Sequence, residues 1–209
     1  MNFESIITFT LASGLISIAP GPDNIFVLTQ SALYGKRVGV SIILGLCTGL
    51  IAHTSAVAFG VAAIFQTSPL AFDVLKYLGA AYLLYLAWLA LSSESSTLSS
   101  EADGGLSFGT LYRRGIIMNV SNPKVSIFFL AFLPQFTNPA EGHLIVQFFF
   151  LGAIFITVSF IIFGCIAVMA SSVGRWFASS PKGQRYLNCI AAMVFVVLAM
   201  KLLLSTVNR

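Results

Sequence analysis

The chain has 209 residues, 57% of them hydrophobic and only 9% charged, with a mean hydropathy of +0.93 and a net charge of +4. A soluble domain carries about 25% charged residues, so this composition excludes an ordinary soluble fold and indicates an integral membrane protein. The surplus of lysine and arginine is then a signal of orientation in a bilayer, not a nucleic-acid patch.

A membrane-crossing helix needs about 20 apolar residues, and six runs meet that length. The opening MNFES has an acid where a basic signal region would stand, so no cleavable leader is expected. Span 1 is predicted over about Phe3 to Tyr34, span 2 over Val38 to Phe65 and span 3 over Leu70 to Leu91. The Ser-rich, acidic stretch around SSESSTLSSEADGG (about 92–107) has nothing to bury and reads as a hydrophilic linker. Span 4 follows over Tyr112 to Phe136, span 5 over Leu144 to Ser171 and span 6 over Tyr186 to Leu204. The predicted fold class is an all-α membrane protein, a single transporter domain of two three-span repeats (1–91 and 108–209).

The basic residues Lys36, Arg37, Arg113, Arg114, Arg175, Lys182 and Arg185 share one face of a six-span arrangement. Lys76 and Arg209 are nearly all the opposite face has. The positive-inside rule puts the basic loops in the cytoplasm and both termini outside. Tyr34, Trp88, Tyr112, Trp176 and Tyr186 lie near the cytoplasmic ends, as interfacial aromatics do. Three spans per half turn the second half upside down, and inverted repeats of this kind recur in secondary transporters.

Two spans are interrupted at corresponding places. Span 1 contains APGPDN (Ala19–Asn24) and span 4 contains SNPK (Ser121–Lys124). In each, a proline precedes a charged residue, Asp23 after Pro22 and Lys124 after Pro123. Counting from the basic loops at 1.5 Å per residue puts both charges roughly 15–20 Å deep, near the middle of a core about 30 Å thick. A lone charge there costs about 2.5–3.5 kcal/mol, so the two are expected either to meet or to face a wet cavity. Pro20, Pro22 and Pro123 have no N–H, which frees the carbonyls of Ile16, Ile18 and Asn119. Freed carbonyls survive at this depth only inside protein or beside water. Asn122 before Pro123 has the pattern of an N-cap with proline at the first helical position. Pro20, Gly21, Pro22, Asp23, Asn24, Asn119, Asn122, Pro123 and Lys124 are therefore the candidate binding residues. The helix N-termini and Lys124 suit a carboxylate, and Asp23 with the freed carbonyls suits an ammonium. The bland reading is an inert ion pair between two kinked helices.

In span 2, Gly45, Gly49 and His53 recur every four residues and share a helix face. The glycines suit close helix packing. His53 is either a proton carrier, together with Asp23, or a neutral interface residue. His143 falls in a short outer loop. Cys47, Cys165 and Cys189 lie singly in apolar runs and are expected as buried packing residues. No metal site or cofactor is expected, and glycine-rich faces suggest a homodimer.

APGPDN, the glycines Gly35, Gly39, Gly45 and Gly49, YLGAAYLLYLAW at 77–88 and SNPKVSIFFLAFLPQF at 121–136 together resemble the LysE/RhtB-type amino-acid exporters. The resemblance spans nearly the whole chain. It implies a transporter, not an enzyme, in a bacterial inner membrane, exporting amino acids or close derivatives against an inward flow of protons. Carried over by position, Pro20, Gly21, Pro22 and Asp23 match its first motif, and Asn122, Pro123 and Lys124 its second. Asp23 is the only acid expected near mid-membrane, which disfavours a dedicated exporter of cationic substrates. Alternatives are a divalent-cation exporter, which wants clustered ligands, and a thiol–disulfide electron carrier, which wants paired cysteines at the breaks.

Overall fold

The computed structural model describes residues 1–61, 69–92, 107–178 and 181–204. Every regular element among them is helical: α1 (Phe3–Ile18), α2 (Pro22–Tyr34), α3 (Lys36–Ala56), α4 (Pro69–Ser92), α5 (Phe108–Val120), α6 (Pro123–Ile127), α7 (Leu144–Ala178) and α8 (Pro181–Leu204). Single π-helical segments extend α3 (Val57–Val61) and α6 (Phe128–Phe132), and 3-10 turns cover Leu133–Phe136 and Pro139–Glu141. Most of the Ser-rich linker, 93–106, lies outside the described residues.

The apolar pattern dictates which helices can cross a bilayer. Among the described residues, α3 with its π extension, α4 and α7 are each long and apolar enough. The pairs α1–α2 and α5–α6 qualify only as bent spans, with bends of 60° and 50°, and α8 contributes a shorter apolar helix, Asn188–Leu204. The bends fall at Pro20–Pro22 and at Pro123, where missing N–H groups interrupt the ladder. Helices α7 and α8 extend beyond the apolar runs, to Ala178 and back to Pro181. Hydropathy marks only the lipid-immersed part of a helix, and Pro181 stands where proline is tolerated, at the first helical position.

Side-chain caps start several helices. Asn2 accepts from Ser5 N–H at 2.8 Å to open α1, and Ser107 accepts from Thr110 N–H at 3.3 Å to open α5. Gly35 joins α2 to α3 at φ 88°, a left-handed conformation that favours glycine. On the face where Gly142 precedes α7, the N-terminal ammonium of Met1 pairs with Glu141 and holds its carboxyl below the usual carboxylate range.

Helix α3 lies along α5 and α7, α4 along α8, and α7 also against α1 and α2. Small residues permit the closest approaches. A Cβ on Gly45 would stand 2.1 Å from the Tyr112 carbonyl oxygen, and one on Gly115 would stand 2.5 Å from that of Ile42. Backbones that near each other gain dispersion contacts that larger residues would prevent. Gly49 faces Asn119, Gly152 faces Thr54 and Gly79 faces Ala131.

Two apolar cores follow. One gathers Phe9, Phe128, Phe129, Phe132, Phe136, Phe148 and Phe155 with α1, α4 and α8. The other gathers Val27, Ile42, Ile43, Leu46, Leu111, Phe163 and Ala167 from α2, α3, α5 and α7. Since α1 contributes to the first core and α2 to the second, their break lies between the two. The cysteines correct one expectation: only Cys47 is buried, whereas Cys165 and Cys189 are exposed on the helix surface. Lipid is as apolar as a core, so a thiol loses nothing by facing it.

Candidate site where two broken helices cross

The first break starts from a shortage of donors. Helix α1 ends at Ile18, with Ala19 bonded back to the Leu15 carbonyl at 3.0 Å. Proline at 20 leaves the Ile16 carbonyl without its usual partner. Lys124, from the other half of the chain, takes it up: its Nζ donates to Ile16 O at 3.3 Å, Ala19 O at 2.9 Å and Asn24 Oδ1 at 3.4 Å. Asn24 in turn donates through Nδ2 to Ser17 O at 2.7 Å. An ammonium has three N–H groups, and all three of Lys124's point into this break. Gly21 makes room for them, since a Cβ there would stand 2.9 Å from Nζ.

The second break is served from a third helix. Asn122 caps α6 by accepting from Lys124 N–H at 3.0 Å, with Pro123 at the first helical position, as the SNPK sequence predicts. The Asn119 carbonyl, freed by Pro123, accepts from Asn122 N–H at 3.0 Å and lies 3.2 Å from His53 Nε2. A carbonyl can only accept, so Nε2 carries the proton in this contact. The shared face of Gly45, Gly49 and His53 therefore packs as its spacing predicts: the glycines bring α3 onto α5, and His53 reaches the break beyond them. His53 also lies against the Phe129 ring at 5.6 Å.

Asp23 completes the crossing. It is 1% exposed, and its Oδ2 accepts from Asn119 Nδ2 at 3.4 Å. No direct Asp23–Lys124 ion pair forms within 4.0 Å among the described residues. Asn24 and Asn119 stand as intermediaries instead, one on each charge. Asp23 Oδ1, Asn119 Oδ1 and Asn122 Nδ2 are buried without a fully formed hydrogen bond, although the Asn122 amide lies beside the Asp23 carboxylate. These two acceptors and one donor lie on side chains almost completely buried where the two halves meet.

All the candidate residues 20–24, 119 and 122–124 lie at this crossing, and His53 borders it. Sequence reasoning gave Lys124 a charge but not its saturation by backbone carbonyls. The signal was present, because Ile16 loses its donor at Pro20 and needs another. His143 lies outside the helices, in the loop before α7, where it was expected.

A multi-helix membrane protein with paired broken spans and a buried polar crossing is the class these features define. Residues 15–206 match the family model described as LysE type translocator, and the chain belongs to that family. It is 35% identical over 201 residues to a homoserine/homoserine lactone efflux protein of Salmonella typhimurium, covering 94% of this chain and 95% of that one. It is 29% identical over 196 residues to a leucine efflux protein of Salmonella choleraesuis, covering 93% and 92%. An uncharacterized membrane protein of Vibrio cholerae is likewise 29% identical over 196 residues, covering 94% and 95%. No solved structure matches the chain.

Proposed function

We propose that the chain exports neutral amino acids, or close derivatives such as a homoserine lactone, across a bacterial inner membrane in exchange for protons. The observation that carries this reading is the buried polar cluster of Asp23, Asn119 and Asn122 at the crossing, in which Asp23 Oδ1, Asn119 Oδ1 and Asn122 Nδ2 make no fully formed hydrogen bond. An α-amino acid offers an ammonium to the two acceptors and a carboxylate to the amide donor. Lys124 supplies positive potential on the carboxylate side while it holds the first break. Pro20, Gly21, Pro22 and Pro123 keep the backbone open there, and Asn24 fixes Lys124. A neutral side chain suits the site because its formal charges, Asp23 and Lys124, already balance.

Six spans in two inverted repeats, with both termini outside, accommodate this arrangement. Exchanging spans 1, 2 and 3 with spans 4, 5 and 6 maps α3 on α5 onto α7 on α1–α2, and maps α4 on α8 onto itself, in line with the observed packing. Rocking of one repeat against the other would expose the crossing alternately to each side. Protons entering from outside would reach Asp23 and His53, which share Asn119 as a bonding partner, and would weaken the hold on the substrate ammonium.

The test is transport by everted vesicles, whose cytoplasmic face is outside, under an imposed pH gradient, with labelled leucine, homoserine and lysine. Gradient-driven uptake of leucine or homoserine, abolished by Asp23→Asn, supports the reading. Wild-type uptake of none of them, or full uptake by Asp23→Asn, contradicts it.

A further inference from the structure

The buried side-chain atoms without a partner fall into two groups. One is the crossing; the other is Thr29 Oγ1, Gln30 Oε1 and Ser31 Oγ on α2. Gln30 is 4% exposed and Ser31 0%. A buried amide or hydroxyl left unpaired costs about 1–3 kcal/mol, and a serine in a helix ordinarily bonds the carbonyl one turn back. Ser31 does not, although other hydroxyls here do, such as Thr54 to Leu50 O at 2.8 Å and Ser13 to Phe9 O at 2.7 Å.

Their placement relates the two groups. Gln30 follows Asp23 by seven residues, and Ser31 follows Asn24 by seven. Seven residues are two helical turns, so each lies on the same line along α2, about 10 Å nearer the basic end at Lys36 and Arg37. Val27, between them, is fully buried. Gly39 of α3 leaves the room that Ser31 occupies, since a Cβ there would stand 2.1 Å from Ser31 Oγ.

We propose that Gln30 and Ser31 form a second, uncharged station for the amino acid, between the basic-loop face and the crossing. The Gln30 carbonyl and Ser31 hydroxyl accept from the ammonium, and the Gln30 amide N–H donates to the carboxylate. With no formal charge, the station holds a zwitterion weakly and passes it on to Asp23. This inference rests on the transport reading above and adds its entry step.

The experiment measures half-saturation for leucine and homoserine on each face of wild-type, Gln30→Met and Ser31→Ala proteins in vesicles. Everted vesicles present the basic-loop face and right-side-out vesicles the other. Gln30→Met keeps the side-chain length without its hydrogen bonds and should raise half-saturation about fivefold on the basic-loop face alone, with the maximal rate kept. Ser31→Ala should move it in the same direction. A purely structural orphan predicts the reverse for Ser31→Ala: a higher Tm and unchanged transport. Unchanged half-saturation in both variants, or equal rises on both faces, overturns the station. If Asp23→Asn still stops transport in that case, the crossing stands and only the station falls. If wild-type vesicles move neither amino acid, both fall.

Discussion

Lys124 is the residue on which the two breaks depend. Its ammonium replaces backbone donors that proline removed from α1, and its own N–H is capped by Asn122. An unsatisfied buried carbonyl costs about 1–3 kcal/mol, so Lys124→Met should lower Tm in detergent as well as stop transport. Asn122→Ala, which loses the cap of α6, should cost about 1 kcal/mol in stability, measured by the same thermal melt. Equal Tm values for Lys124→Met and wild type would show that the carbonyls find other partners. The residue types at this site were legible in the sequence because proline beside an ionisable group is costly at mid-membrane. The partners were not legible, because Lys124 lies more than 100 residues from the carbonyls it caps.

At the scale of elements, glycine placement decides how closely helices pack. Gly45 and Gly115 bring backbones together where a Cβ would collide with a carbonyl oxygen, whereas a Cβ on Gly164 meets nothing within 4 Å. Gly45→Ala should therefore destabilise the α3–α5 pair. Gly164→Ala should stabilise α7 by about 0.5–1 kcal/mol, the usual gain when alanine replaces a helical glycine. Comparing the two melts separates packing from propensity, and a stabilised Gly45→Ala would contradict the contact. The period-four run of Gly45, Gly49 and His53 announced this face but could not name α5 as its partner. The glycine-rich faces that suggested a homodimer are occupied within the chain at Gly39, Gly45, Gly49, Gly79, Gly115 and Gly152. A second copy would have to use the outward faces. The helix ends beyond the apolar runs were illegible for another reason: hydropathy ceases at the membrane edge while the hydrogen-bond ladder continues.

For the whole molecule, one core takes in α1 and the other α2, so the break between them lies between the two. Cysteine placed at Ser96 should label from the cytoplasm and cysteine at Glu141 from outside, in a background lacking native thiols. The opposite pattern would overturn the topology. Three long apolar helices and two bent pairs were readable because a bilayer demands about 20 apolar residues per crossing, whereas the sixth run gives only the shorter apolar helix Asn188–Leu204. How they pack was less readable, because lipid and protein interior both favour the same side chains. The central claim is that the crossing of the two breaks holds the amino acid. Equilibrium binding of labelled leucine and homoserine to the purified protein in detergent tests it most directly, with Asp23→Asn and Asn119→Ala compared at equal Tm. Saturable binding by the wild type, lost in both variants, is predicted; undiminished binding by folded Asp23→Asn would contradict the account.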